Sequence, residues 1–347
     1  MISLKNINIK YEDFSLKNLS INVEKGEYYV ILGESGAGKS MILEMLVGLI
    51  SPDSGKIFFN NEDITKLSIQ KREIGIVFQD YAIFPHLSVY ENIAYPIKRK
   101  FSKKEIKLKV EEIAKKTEIS HLLKRKPNTL SGGELQRIAI ARTLILNPKV
   151  LLLDEPLMAL DAKLRENLRD LLRKLNKQGL TIIHVTHDYE EALSLASKIA
   201  VIHKGELIQE DVPTEIFQNP KSEFVARFTG VRNFFKAKYI SIKKVVISDD
   251  IVIRVNPNEE MCEGYILIPS ESITISNEKQ RTSSTNNFKG IIKSIFASRT
   301  GKEVIVDIGV PISIFVTSES VARLGLMEEK EIWISFKVNS VKFINKK

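Results

Sequence analysis

The sequence predicts an α/β domain followed by an all-β domain of small-barrel type. Strands alternate with helices up to about residue 230, and a glycine-rich loop at 33–40 falls between a strand and a helix. Strands separated by helices of this length pair in parallel through crossovers, which gives a sheet covered on both faces. After Gly230 the texture changes to short alternating apolar runs, the pattern of an all-β domain.

Ile2, Leu4, Ile7 and Ile9, then Leu16, Leu19, Ile21 and Val23, read as two short strands, with Lys25-Gly26 as a turn. A core strand at 28–32 leads into the glycine-rich loop, and a helix over 39–47 leaves it. Pro52-Asp53-Ser54-Gly55 makes a turn into a strand at 56–59, and a further strand spans 74–78. Ser102 and Glu105 have capping-box spacing at the head of a helix over 102–117, with Ile106, Val110 and Ile113 on one face. That helix belongs to an inserted helical lobe, about 81–129. Helix 134–146 stops at Asn147-Pro148, strand 150–154 follows, and helix 162–178 ends at Gly179. Strand 181–186, helix 189–196 and strand 199–203 continue the alternation. Beyond it, apolar runs from 245–247 to 341–344 read as strands, and the polar stretch 276–287 as a loop between two halves.

A length of 347 residues exceeds one ordinary domain, and 43% hydrophobic with 27% charged residues is the composition of a folded protein. The single cysteine, Cys262, excludes a disulfide within the chain and a cysteine-based metal site, which fits a reducing cytosol. No apolar run approaches the ~18 residues of a spanning helix. Residues 1–10 lack the apolar block of a signal peptide. The net charge of +9 comes mostly from lysine, read as spread along helices and loops without a dense run. Solvated helix faces explain such a distribution ahead of an anionic membrane surface or nucleic acid.

Gly33-Glu34-Ser35-Gly36-Ala37-Gly38-Lys39-Ser40 fits the phosphate-binding loop pattern, with a strand before it and a helix after. Glycines let backbone N–H groups curl around phosphates, Lys39 neutralises charge, and Ser40 offers a hydroxyl to Mg²⁺. Leu151-Leu152-Leu153-Asp154-Glu155-Pro156 is an apolar strand ending in two carboxylates, placing Asp154 at the metal and Glu155 at the attacking water. Leu130-Ser131-Gly132-Gly133-Glu134 is a capped helix start that also suits an anion. Because the phosphate loop already has its own helix, this second site needs another phosphate ligand or another subunit.

These motifs, with Gln79 and His187, stand in the order of the ABC ATPase nucleotide-binding domain, which the chain resembles over 1–230. The resemblance implies a P-loop NTPase fold, ATP and Mg²⁺ as cofactors, and a head-to-tail homodimer. In it Ser131, Gly132, Gly133 and Glu134 of one subunit face the nucleotide held by the other. It further implies Glu155, His187 and Gln79 as catalytic residues, and Ser40, Gln79 and Asp154 at the metal. Asp161 would contact the facing subunit, and Tyr11 would stack on adenine. Met158 and Leu135 depart from the family pattern, at positions expected to touch no group with a chemical role.

The segment Phe84-Pro85-His86-Leu87-Ser88-Val89-Tyr90-Glu91-Asn92-Ile93 looks like that of importer ATPases, whose lobe receives a coupling helix of the permease. Residues 231–347 resemble their regulatory, OB-like TOBE/Mop domain. The end of that domain, 332–341, with Gly309-Val310-Pro311 and Phe315-Val316-Thr317, looks most like the molybdate/tungstate subgroup. This implies two transmembrane permease subunits, an extracytoplasmic oxyanion-binding protein acting indirectly, and a peripheral location on the cytoplasmic face of the membrane. It also implies a regulatory oxyanion served by Lys337, Ser335 and Ser340. Thr285-Asn286-Asn287-Phe288 stands where the subgroup tends to carry an arginine, which counts against that feedback. Sulfate, phosphate, sugar or polyamine are the alternative cargoes. A nucleic-acid ATPase of the same class would carry a coiled-coil insertion, zinc cysteines or a second ATPase domain, so no nucleic-acid partner is expected.

Overall fold

The computed structural model describes residues 1–11, 14–158, 160–248, 250–258, 262–279, 284–298 and 301–345. The chain divides into two compact units, Met1–Ile216 and Phe217–Lys347. The first opens with β1 (Ile2–Tyr11), β2 (Phe14–Val23), β3 (Tyr28–Leu32), α1 (Lys39–Val47), β4 (Ser54–Phe59), β5 (Glu62–Asp63) and β6 (Ile74–Val77). It continues with α2 (Val89–Ala94), α3 (Lys103–Lys116), α4 (Gly132–Leu144), β7 (Val150–Asp154), α5 (Ala162–Lys177), β8 (Thr181–Thr186), α6 (Tyr189–Leu195), β9 (Lys198–His203) and β10 (Glu206–Asp211).

A six-stranded sheet ordered β10-β9-β3-β8-β7-β6 is parallel except for its edge strand β10. β3 is buried along its whole length and β7 up to Leu153, as near-continuous apolar strands in a doubly covered parallel sheet must be. An antiparallel sheet, β2-β1-β4-β5, packs its apolar side chains into the same core as α1 and one face of the parallel sheet. In β1 the buried residues jump from Ile2 and Leu4 to Ile7 and Ile9. A bulge absorbs the step, with Asn6 at φ 51 and Asn18 opposite at φ 47. The helical segment has a core of its own: Val89 and Ile93 of α2, Ile106, Val110 and Ala114 of α3, and Ile138 and Ala141 of α4. Ser102 and Glu105 close the expected capping box on α3.

The second unit begins within α7 (Pro213–Gln218), not at the expected residue 231. The reason is apolar: α8 (Glu223–Phe228) buries Ala226 against Phe234 and Leu267, so 217–230 fold with the β-rich part. Its strands are β11 (Phe234–Ser241), β12 (Lys244–Ile247), β13 (Ile251–Arg254), β14 (Glu263–Leu267), β15 (Thr274–Ser276), β16 (Asn286–Ser298), β17 (Gly301–Asp307), β18 (Pro311–Val316), β19 (Glu331–Phe336) and β20 (Lys342–Asn345). They form two five-stranded antiparallel sheets, β13-β12-β11-β14-β20 and β15-β19-β16-β17-β18, around one core. The expected loop 276–287 joins β15 to β16, and part of it lies outside the described residues. The expectation of an all-β domain misses α9 (Ser318–Leu324). That helix forms because Thr317 caps it and Gly325 ends it at φ 56, a single capped turn pair among strands.

Candidate active site

Loop 33–40 joins the end of β3 to the start of α1. Gly36 and Gly38 adopt φ 79 and 94, the left-handed region that favours glycine. α1 has no side-chain cap on its first N–H groups, which leaves them available to an anion. Lys39 is buried and donates Nζ hydrogens to the carbonyls of Gly33 and Glu34, both at 3.0 Å. Its ammonium also lies 3.8 Å from Glu155 Oε1. Burial pulls the Lys39 pKa below the usual lysine value, and Glu155 and Asp154 partly offset this.

The Ser40 hydroxyl donates to Asp154 Oδ1 at 3.2 Å, across from the end of β7. Burial raises the Asp154 pKa, the Ser40 hydrogen bond opposes it, and the adjacent Glu155 adds to it. Glu155 follows with φ 45, a strained backbone for a side chain with a Cβ, and such strain collects at functional sites. Its backbone N–H donates to Val185 at 3.0 Å, which pins the turn to β8. His187 Nδ1 lies 2.9 Å from Glu155 Oε1 and 3.0 Å from Oε2. An ionised carboxylate only accepts, so Nδ1 carries the hydrogen.

Behind this pair, the Thr186 hydroxyl reaches Glu191 Oε2 at 2.9 Å and Glu155 Oε2 at 3.3 Å, and accepts from the Asp188 N–H at 3.0 Å. Glu191 lies 3.6 Å from the buried His184, whose Nδ1 meets the Tyr28 hydroxyl at 3.0 Å. Burial acts to raise the Glu191 pKa, but the His184 and Thr186 contacts prevail and leave it lowered.

Gln79 lines an open pocket with Asp154, Phe78, Asp80 and Ala82. Its side-chain N–H donates to the Met158 sulfur at 3.4 Å. Met158 therefore touches a predicted site residue, which corrects the expectation that its departure from the family pattern meets no group with a role. After Gln79 the chain bends through Tyr81 and Ala82 at φ 62 and 46, and Arg142 holds their carbonyls at 3.0 and 2.6 Å.

Ser131 and Glu134 complete a capping box at the head of α4. The Ser131 backbone and hydroxyl hold the Glu134 carboxyl below its usual pKa. A Cβ on Gly133 would press to 3.3 Å from Leu164, so this glycine admits α5 close by. Asp161 caps α5, accepting from the Leu164 N–H at 2.9 Å, a local task that its sequence position did not reveal. Tyr11, at the end of β1, is 60% exposed. Among the described residues, no hydrogen bond or ion pair joins 131–134 to 33–40. Sequence reasoning missed Thr186, His184 and Glu191; the only signal was their position on and after the strand that delivers His187.

A family model described as ABC transporter matches residues 16–158. The molybdate/tungstate import ATP-binding protein WtpC of Pyrococcus horikoshii is 40% identical over 344 residues, covering 98% of this chain and 99% of the relative. The chain belongs to the ABC transporter ATP-binding proteins. A second member of that family, the spermidine/putrescine import ATP-binding protein PotA of Thermotoga maritima, is 40% identical and covers 84% of this chain and 82% of its own length. A solved dimeric ATP-binding cassette in a post-hydrolysis state, bound to ADP and Pi, matches with a TM-score of 0.56 at 35% identity. It covers 61% of this chain and 99% of its own. Within this ABC chain the matched stretch holds the phosphate loop, Gln79, Ser131, Asp154 and Glu155, whereas His187 lies beyond it.

Proposed function

We propose that this chain binds and hydrolyses ATP as one of two identical subunits that drive import of molybdate or tungstate through a membrane permease. The observation that carries the proposal is the 40% identity to an import ATP-binding protein along 98% of the chain, which takes in the C-terminal unit as well as the motor. Among the described residues no helix is long and apolar enough to cross a membrane, so the path for the anion is assigned to two separate permease subunits.

Ser40, Asp154 and Gln79 supply hard oxygen donors, which suit Mg²⁺. Among the described residues no group of three or more His, Cys, Asp or Glu could hold a metal. That fits an ion shared with nucleotide phosphates rather than caged by protein. When bound, Mg²⁺ neutralises charge on the phosphates. Lys39, fixed by two loop carbonyls, adds its charge beside the same phosphates. Glu155 accepts a hydrogen from the attacking water as its oxygen bonds to the terminal phosphorus and the bond to ADP breaks. His187 donates its Nδ1 hydrogen to that carboxylate and so orients it beside the phosphate loop. Ser131 to Glu134 make no bond to the loop of their own chain, which supports their completing the site of a second copy, as in a head-to-tail dimer. Tyr11, exposed at the end of β1, is the adenine-stacking residue of this assignment, and Asp161 meets the facing subunit.

In the C-terminal unit, Lys337 and Ser340 share one turn, with the Ser340 N–H donating to the Lys337 carbonyl at 3.1 Å. Ser335, the third residue of the expected oxyanion trio, is buried in β19. The decisive experiment is uptake by the reassembled transporter with ATP. Accumulation of radiolabelled tungstate and molybdate, but not spermidine, is the expected result. Spermidine uptake without oxyanion uptake sinks the cargo assignment while leaving the ATPase standing.

A further inference from the structure

Residues 98–109 contain seven lysines and arginines against one acid, Glu105. This is the dense basic run that an even spread of lysine would exclude, and its balance of +6 is two thirds of the chain's +9. Lys98, Arg99, Lys100, Lys103 and Lys104 are exposed, and among the described residues they enter no ion pair. Glu105 does not neutralise them, because it is engaged with Ser102 in the capping box of α3.

Two exposed apolar side chains stand within the run: Phe101, 40% exposed, and Leu108, 59% exposed. Lys109 Nζ lies 4.8 Å above the Phe101 ring. Ile106, Val110 and Ala114 bury the other face of α3 in the core of the helical lobe, so the basic edge is turned away from that core. Lys103 and Lys104 also occupy the first turn of α3, where positive side chains oppose the helix dipole. A solvated surface helix gains nothing from that placement, nor from exposed Phe and Leu.

We propose that this edge of the helical lobe, residues 98–109, docks on anionic lipid headgroups. The lysines and Arg99 attract headgroup phosphates, and Phe101 and Leu108 enter the interfacial zone beside them, each charge and apolar group adding to the attraction. Nucleic acid would use the charges but not the exposed Leu108. The importer assignment supplies only the setting, since lipid binding is measured without nucleotide, permease or cargo and stands or falls separately from it.

The test is cosedimentation of the full-length protein with phosphatidylcholine vesicles, with and without phosphatidylglycerol. Binding is expected only with the anionic lipid and is lost as salt rises. Each charge near the surface is worth about a five-fold change in affinity. Joint replacement of Lys98, Lys100, Lys103 and Lys104 by Gln is therefore expected to weaken binding on the order of several hundred-fold, with ATPase activity in solution unchanged. Phe101→Ser with Leu108→Ser weakens binding but keeps its salt dependence. Equal binding to neutral and anionic vesicles overturns the proposal, as does wild-type affinity in the four-lysine variant or displacement from vesicles by duplex DNA at equal phosphate concentration.

Discussion

His187 Nδ1 and the Glu155 carboxylate are joined at 2.9 and 3.0 Å, although 32 residues of chain separate them. The contact exists because parallel pairing sets Asp154 beside Val185, so that the residues following each strand leave the sheet together. It sets which His187 nitrogen carries the hydrogen and fixes the orientation of the Glu155 carboxylate, the base of the proposed mechanism.

Glu155→Gln keeps the shape of this pair and removes the base. Turnover is expected to fall by about 10²- to 10⁴-fold while ATP binding persists. Lys39→Ala is expected to weaken ATP binding itself, since it removes the buried charge from the phosphate loop. Nucleotide titration alongside phosphate release separates the two; full turnover by the Glu155 variant rules out its assignment as base.

The single hydroxyl hydrogen of Thr186 lies between Glu191 Oε2 at 2.9 Å and Glu155 Oε2 at 3.3 Å, behind Glu155. Thr186→Val deprives a buried carboxylate of a donor, a cost of about 1–3 kcal/mol in stability. It is expected to lower kcat with little change in KM for ATP, and Thr186→Ser is expected to restore it. A variant whose KM rises while kcat is unchanged contradicts the positioning role.

Met158 occupies the side-chain amide of Gln79. Met158→Ala removes a weak sulfur acceptor, and because Met158 is 47% exposed, stability should change by no more than about 0.5 kcal/mol. Half-maximal ATPase activity is expected at a lower Mg²⁺ concentration, because Gln79 no longer has to leave the sulfur. An unchanged Mg²⁺ titration means the contact is idle.

Glu134 has a folded pKa below its unfolded value, through hydrogen bonds from the Ser131 backbone and hydroxyl. Its contribution to stability is therefore present above the ordinary carboxylate range and lost as pH falls through the lowered folded pKa. Glu134→Gln is expected to flatten the acid limb of a stability curve measured by denaturant titration below about pH 4.5. The Glu134 carboxyl lies near solvent, so the change is a fraction of a kcal/mol.

Most strands and helices of the first unit, though not β5 or β10, were legible, as were the phosphate loop and the capping boxes at Ser102 and Ser131, because each is written in neighbouring residues. Glycine at 36 and 38, apolar periodicity and Ser-x-x-Glu spacing act over one turn or one strand, and the chain folds locally as they dictate. The unit boundary at Ile216 and α9 were not legible, because one is set by Ala226 meeting Leu267 and the other is a helix too short to show a period.

The sequence by itself determined which groups can carry chemistry: the loop at 33–40, the carboxylates Asp154 and Glu155, and His187. Only the tertiary structure decided who holds them. Thr186 and Glu191 stand behind Glu155, Met158 lies against Gln79, and Asp161 is bound to the head of α5. The physical reason is distance: a hydrogen bond needs atoms about 3 Å apart, and residues brought that close by sheet pairing leave no regular trace in the order of the chain.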